Sequence, residues 1–487
     1  MSEEPGTRAR PGALRQRVPA GAGHRGVVLP LLSSVPGVAE PGPVRPRRTD
    51  ARWRLVALSL LVACACGPYL VAGLRTEQAS VYLVCGVGLV CGWWRSTPAA
   101  PNGLLVVYLL GFELVIALFG WLFPAPPTLE IGWADEPLRA LDNLVMPGAV
   151  LFATWMLLGA WVDPRPYLRA VCGVIVALAC VNTGLAFLSV TFDLTPLLQG
   201  FWVQGELTPS VAALALSTGR YGGIFNQPAE GGHFYSIALL SLIYLFHRRP
   251  WWLAAAAAVV ILGGTLGASK TFLLGGLPVG VWQILRTAGR RPTWWLGAAG
   301  VGSVVYGLLR VAAGHGVNWN GLGVLATYFA PADDADLVHL YSAGRFGDHA
   351  ALYDVTIAIL KTSPWTGYGL NGVGWPYDSA WLGAFAVGGL LGVFAYTAVL
   401  CVLLWSWWRR RPSSDPNMSR LAGGLVLVTI TSSLGYPALS GNRAATPMWV
   451  LFALLLLSRR IGSRDGRRDP GEAEARIKFT NYGVSSP

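Results

Sequence analysis

The stretch AWLGAFAVGGLLGVFAYTAVLCVLLWSWWRRR, residues 380–411, decides the fold. From Ala380 to Trp408 it holds no Asp, Glu, Lys, Arg or His, then closes on Trp407-Trp408 and Arg409-Arg410-Arg411. A run of that length exceeds the ~20 residues a helix needs to cross ~30 Å of hydrocarbon. Its apolar residues are continuous rather than alternating, which argues for a helix and against a barrel strand. Trp at the headgroup level followed by a basic cluster is the signature of a cytoplasmic membrane boundary.

Working outward, similar runs recur at about 55–74, 79–94, 103–123, 144–161, 169–190, 233–247, 251–267, 270–286, 293–310, 380–408, 420–439 and 444–458. The sequence therefore predicts an all-α, polytopic integral membrane protein of about 12 transmembrane helices. It divides into a basic arm without apolar period (1–54), a membrane domain (55–458) and a polar tail (459–487). Both arms read as disordered, and the first is no signal peptide because the apolar pattern starts near residue 55. The composition agrees: 53% of the 487 residues are hydrophobic and 13% charged, against ~25% charged in globular domains.

The net charge of +12 does not point to nucleic acid, because its distribution follows the membrane. With both termini cytoplasmic, 29 of the 37 Lys/Arg fall on inner segments, including Arg248-Arg249, Arg290-Arg291 and Arg409-Arg411. The other 8 are Arg75, Arg139, Arg220, Lys270, Arg310, Arg345, Lys361 and Arg443. That is the positive-inside rule, and it places the protein in the cell membrane with residues 311–377 as a large extracytoplasmic loop between spans 9 and 10. Trp93-Trp94, Trp251-Trp252, Trp294-Trp295 and Trp407-Trp408 mark the inner interface. The 7 Cys all lie in spans, so structural disulfides and zinc sites are not expected.

Chemistry has to be sought among the outer residues. Arg220 (Thr-Gly-Arg-Tyr-Gly-Gly), Lys270 (Gly-Ala-Ser-Lys-Thr) and Arg345 (Ala-Gly-Arg-Phe-Gly) each stand among small residues, where a bulky anion can approach the backbone. Converging, they would suit a pyrophosphate, which Arg grips bidentately and Lys as a point charge. The plainer reading is that each snorkels to the interface or pairs with a nearby carboxylate. Asp378 precedes a span: it is a helix N-cap, a general base for a sugar hydroxyl, or both. Asp348 and His349 follow the Gly344-Arg345 pair and can pair with it. Glu113 lies mid-span, either functional or a hydrogen-bonded structural acid, and His233 opens a span as a cap or a water-facing group. No metal-ligand spacing and no Gly-x-x-x-x-Gly-Lys-Ser/Thr phosphate loop occurs, so neither metal nor nucleotide cofactor is expected.

Three segments together carry a resemblance. The first is Arg220-x-x-Gly223-x-Phe225-Asn226-x-Pro228-x-x-Gly231 and the second Ser269-Lys270-Thr271. The third runs from Gly344-Arg345 through Ser363-Pro364-Trp365-Thr366-Gly367-Tyr368-Gly369 to Asp378-Ser379, followed after nine residues by Gly389-Leu390-Leu391-Gly392. Over roughly residues 205–395 this order resembles the superfamily of O-antigen ligases and O-antigen polymerases. The resemblance implies inverting, metal-independent glycosyl transfer from a polyprenyl-pyrophosphate-linked oligosaccharide, producing an exopolysaccharide or a cell-wall or surface glycan. Arg220, Lys270 and Arg345 would hold the pyrophosphate, Asp378 would deprotonate the acceptor, and Asn226, Ser269, Asp348 and His349 would line the substrate. The implied partners are that lipid-linked substrate, the bilayer, a flippase and a chain-length regulator. The ligases carry His where this chain has Asp378, which turns the expectation toward polymerases. A ligase passing finished glycan to another acceptor is the nearest alternative. A transporter or flippase of lipid-linked sugars is the alternative from another class. Against it, a two-halved transporter would have a long central inner loop, whereas the inner link here is only His247–Pro250.

Overall fold

A computed structural model describes residues 48–70, 73–123, 137–159, 163–202, 211–288, 351–372, 379–410, 415–440 and 443–459, together with 300, 302 and 303. The basic arm before Arg48, the tail after Arg459 and the span expected at 293–310 lie otherwise outside the described residues, as do Arg345, Asp348, His349 and Asp378. Arg48–Arg54, expected to end the disordered arm, instead open the first helix. Among the described residues the protein is helical and contains no strand, only isolated bridges at Tyr69–Arg75 and Ala99–Ser458.

The helices are α1 (Arg48–Cys64), α2 (Thr76–Val90), α3 (Pro101–Leu122), α4 (Pro137–Leu158), α5 (Pro164–Leu188), the short α6 (Thr195–Leu198) and α7 (Val211–Ser217), then α8 (Pro228–Phe246) and α9 (Pro250–Leu266). A π-helical turn, Thr271–Gly276, leads into α10 (Leu277–Ala288). There follow α11 (Ala351–Thr362), α12 (Ala380–Arg410), α13 (Pro416–Ser433) and α14 (Ala445–Phe452), the last continued by a π-turn, Ala453–Leu457. Five of these are long and apolar enough to cross a membrane: α3, α5, α8, α12 and residues Ala140–Leu158 of α4. The apolar α2 and α9 have 15 and 17 residues, so alone they reach only about 23–26 Å at 1.5 Å per residue.

Local chemistry explains where the helices start. Proline occupies the first turn of α3, α5, α8, α9 and α13, where its missing N–H costs nothing. Two of these starts read Asp-Pro. The carboxylate of Asp163 accepts the Arg165 N–H at 3.1 Å, and that of Asp415 accepts the Asn417 N–H at 3.0 Å. The run expected at 55–74 is shifted: α1 stops at Cys64, and Gly67-Pro68 carries the chain into an irregular turn. Proline has no N–H to continue the ladder, and Tyr69 instead donates its N–H to the Gly200 carbonyl at 2.8 Å.

α12 is broken. Gly389 has φ 58° and ψ −149°, and the chain before it docks into the gap. Tyr368 N–H donates to Ala386 O at 2.7 Å, and Leu390 N–H to Pro364 O at 2.8 Å. Glycine is required at this crossing: a Cβ on Gly389 would lie 2.4 Å from the Trp365 carbonyl carbon, and one on Gly369 2.3 Å from the Trp121 nitrogen. Thus Thr366-Gly367-Tyr368-Gly369 and Gly389-Leu390-Leu391-Gly392 form one interlocked unit against α3.

The helix ends sort into two sets. One set gathers Trp53 and Trp93, whose rings are tilted against each other at 5.2 Å, with Ala100 N–H on Leu457 O and Asn102 on Ser406. It also holds Asn417 on His247 and Gln283 on the Arg420 carbonyl. The other set gathers the start of α2, α8 and α12, the end of α5, α9 and α13, and the turn before α14. Between them the interior is apolar, with Phe234, Leu239, Phe272, Leu403, Leu425 and Trp449 fully buried.

Candidate functional site

The site is built at the second set of ends, around the segment Gly222–Asn226 that precedes α8. Asn182, buried in α5, accepts the Ile224 N–H on Oδ1 at 2.9 Å and donates from Nδ2 to the Gly222 carbonyl at 3.2 Å. Gly223 has φ +63°, and a Cβ there would stand 2.2 Å from Asn182 Oδ1. The Trp202 indole N–H donates to the Gly223 carbonyl at 3.0 Å. Phe225 packs at a tilt on Phe234 with ring centres 5.1 Å apart and lies against Gly231. The Gly, Phe, Pro and second Gly of the first motif therefore shape the loop, and Arg220 and Asn226 are the polar side chains the motif names. Both are half-buried and line one small cavity with Ser189, Trp202 and Pro228.

The second motif lies against the first. Tyr221 donates its N–H to the Leu266 carbonyl at the end of α9, at 2.9 Å. The turn then passes through Ala268, held at φ 45°, an uncommon conformation for a residue with a Cβ. Ser269 is 2% exposed and packs on Gly232, where a Cβ would stand 2.0 Å from its Oγ. Its hydroxyl has no hydrogen-bond partner among the described residues. Lys270 is half-buried at the head of the π-turn. Arg220, Asn226, Ser269 and Lys270 thus stand at one end of the helices. Asp378 lies outside the described residues, but its neighbour Ser379 donates to the Ser433 carbonyl at 3.5 Å. The adjoining Ser432 meets His233 Nδ1 of α8 at 2.9 Å. His233 itself neither caps nor faces water. It is fully buried, with Met448 on its other ring nitrogen.

A polar network absent from the motif reading sits directly behind the loop. Arg443, 1% exposed, donates from its guanidinium to the Ile224 carbonyl and, at 2.6 Å, to the Phe201 carbonyl. It also lies 5.2 Å above the Tyr69 ring. Its backbone N–H reaches Glu230 Oε1 at 3.1 Å, and Glu230 Oε2 accepts the Asn226 N–H at 3.2 Å. The Asn226 amide donates to Tyr69 Oη at 2.9 Å. Burial, then Glu230, pushes the Tyr69 hydroxyl above its ordinary pKa, so it stays neutral. Beside it Arg75 meets Glu77 at 2.8 Å and Asp142 at 3.7 Å. Burial works against the Arg75 charge, but Glu77, Tyr69 and Asp142 outweigh it and hold its pKa above the usual value. Arg75 is therefore a paired structural cation. The sequence signal for Arg443 was a cation between two spans, which needs a partner or a cavity; its partners are 219 and 242 residues away in the chain.

No family model matches the chain, and no curated protein shows significant similarity to it.

Proposed function

We propose that the protein is a membrane glycosyltransferase that polymerises polyprenyl-pyrophosphate-linked oligosaccharide units into an exopolysaccharide or a cell-wall or surface glycan. The observation that carries this reading is the contact between the first two motif segments: the Tyr221–Leu266 hydrogen bond and the Gly232–Ser269 packing hold Arg220 and Lys270 at one end of the helices. Two cations on neighbouring turns, Arg220 at the small cavity and Lys270 at the head of the π-turn, suit a departing pyrophosphate, whose developing charge fixed cations stabilise. In the proposed step the acceptor hydroxyl attacks the anomeric carbon as the bond to pyrophosphate breaks. Asp378 takes the hydroxyl proton, and the carrier pyrophosphate leaves against Arg220, Lys270 and Arg345. Twelve spans, an outward-facing site and cytoplasmic termini belong to the same proposal and rest on the distribution of basic residues.

The test is the purified chain in proteoliposomes with a polyprenyl-pyrophosphate-linked oligosaccharide and EDTA. Extension of the glycan with release of polyprenyl pyrophosphate supports the proposal. Transfer only to a different acceptor supports a ligase instead. Unchanged substrate moved between leaflets supports a transporter. Arg220→Ala and Lys270→Ala should each lose roughly 2–5 kcal/mol of transition-state stabilisation, as truncated buried charge pairs do, while Lys361→Ala should behave as wild type. Asp378→Asn should lose about 10²–10⁴-fold in rate if the carboxylate is the base. Wild-type rates in that variant would leave Asp378 as a cap, because Asn caps about as well as Asp.

A further inference from the structure

Burying a guanidinium and a carboxylate at a helix end is unfavourable unless their hydrogen bonds are nearly complete, and apolar residues often serve stability as well. Here the two ions act on one short stretch, Ile224–Asn226. Arg443 holds the Ile224 carbonyl, Glu230 holds the Asn226 N–H, and Arg443 N–H joins the two through the second Glu230 oxygen. Tyr69 supports the Arg443 guanidinium with its ring and the Asn226 side chain with its hydroxyl. The planar fork of Arg443 spans two carbonyls, Ile224 and Phe201, which a lysine ammonium cannot reach in the same way. What this fixes is the backbone between Arg220 and Pro228, the stretch that presents Arg220 and Asn226 to the cavity.

We infer that Arg443, with Glu230 and Tyr69, forms a positioning unit that holds Arg220 and Asn226 in the geometry that receives the carrier pyrophosphate. The inference rests on the glycosyl-transfer reading for its substrate, but the loop and its anion affinity can be measured without turnover. Arg443 acts through the loop and touches no reacting atom.

The experiment uses the full chain in nanodiscs, with Arg443→Lys and the milder Tyr69→Phe, which keeps the ring and removes only the hydroxyl. Three quantities are read: amide exchange over residues 221–227, affinity for a short-chain polyprenyl pyrophosphate lacking sugar, and KM and kcat for the lipid-linked donor. Both variants should speed exchange in 221–227 while leaving α3 and α12 protected. Tyr69→Phe should raise the probe Kd and the donor KM about tenfold, the order that one lost hydrogen bond gives, with little change in kcat. In an Asn226→Ala background the further loss should vanish, since the Tyr69 hydroxyl acts through the Asn226 amide. Loss of the same size in that background, or faster exchange with unchanged probe affinity, would overturn the inference and leave Arg443 a fold element. If Arg443→Lys does not fold, Tyr69→Phe alone decides by the same criteria. A wild type that binds the probe but extends no glycan overturns the transfer reading while the probe arm still decides the positioning role. A wild type that does not bind the probe overturns both.

Discussion

At one end of the helices Arg443 and Arg75 are at most 9% exposed, and their guanidinium groups meet carbonyls, carboxylates and a phenol ring. At the other end arginine lies over tryptophan: Arg54 on Trp53 at 5.7 Å, Arg95 on Trp94 at 5.5 Å, Arg286 on Trp282 at 4.6 Å and Arg409 on Trp405 at 4.8 Å. Those rings are themselves exposed, Trp53 at 40% and Trp94 at 48%. The same side chain therefore does two jobs. Over the tryptophans the exposed Arg95, Arg286 and Arg409 keep their charge hydrated, so each contact contributes little, although Arg54 there is half-buried and Arg410 at the same end spans the Leu455 and Ser458 carbonyls. At the loop end the charge is withdrawn from water and fixes backbone geometry, so removing it leaves buried groups unpaired.

The largest effect should therefore come from Arg443→Ala. It strands the Phe201 and Ile224 carbonyls, and should cost about 2–6 kcal/mol, at about 1–3 kcal/mol for each buried acceptor left unsatisfied. Thermal unfolding in detergent, followed by loss of the monodisperse peak on size exclusion, measures it. A melting temperature unchanged by this substitution would remove the distinction between the two ends.

Next comes Gly389→Ala at the break in α12. Its backbone angles belong almost only to glycine, which alone costs about 1–3 kcal/mol, and the added methyl would meet the Trp365 backbone at 2.4 Å. Gly111→Ala in α3 is the matched control. No atom lies within 4 Å of its Cβ position, so it should be neutral or slightly stabilising. Equal melting temperatures for the two variants would show that the docked segment at Pro364–Gly372 does not hold α12 in this form.

The smallest effect should be Arg286→Ala, within about 1 kcal/mol, because an exposed cation over an indole ring contributes no more than that. A loss as large as that of Arg443→Ala would mean that the tryptophan end is as rigidly built as the loop end.

Much of the fold was legible because hydrophobic run length and proline placement are local signals. Each expected run other than 293–310 falls on a described helix, and Asp163-Pro164, Pro228 and Asp415-Pro416 start helices as their chemistry requires. The displaced end of α1 was a matter of weight: an apolar run hid the break at Gly67-Pro68. The interlock of residues 364–372 with α12 was not legible, since glycine spacing does not say which backbone approaches. Of the candidate site, Arg220, Asn226, Ser269 and Lys270 could be named from small-residue context and shared placement between spans. Their support could not, because Arg443, Glu230, Tyr69 and Asn182 come from four separate segments and meet only in the folded chain.

The proposed topology puts the two ends on opposite sides of the membrane, with the loop end outside. Single cysteines on a Cys-free background at Thr218 and Arg249, both exposed, measure this directly. A membrane-impermeant maleimide applied to intact cells should label Thr218→Cys at once and Arg249→Cys only after permeabilisation. Labelling of Arg249→Cys in intact cells, with Thr218→Cys protected until the membrane is opened, would place the cation-bearing loop in the cytoplasm and contradict extracytoplasmic glycosyl transfer.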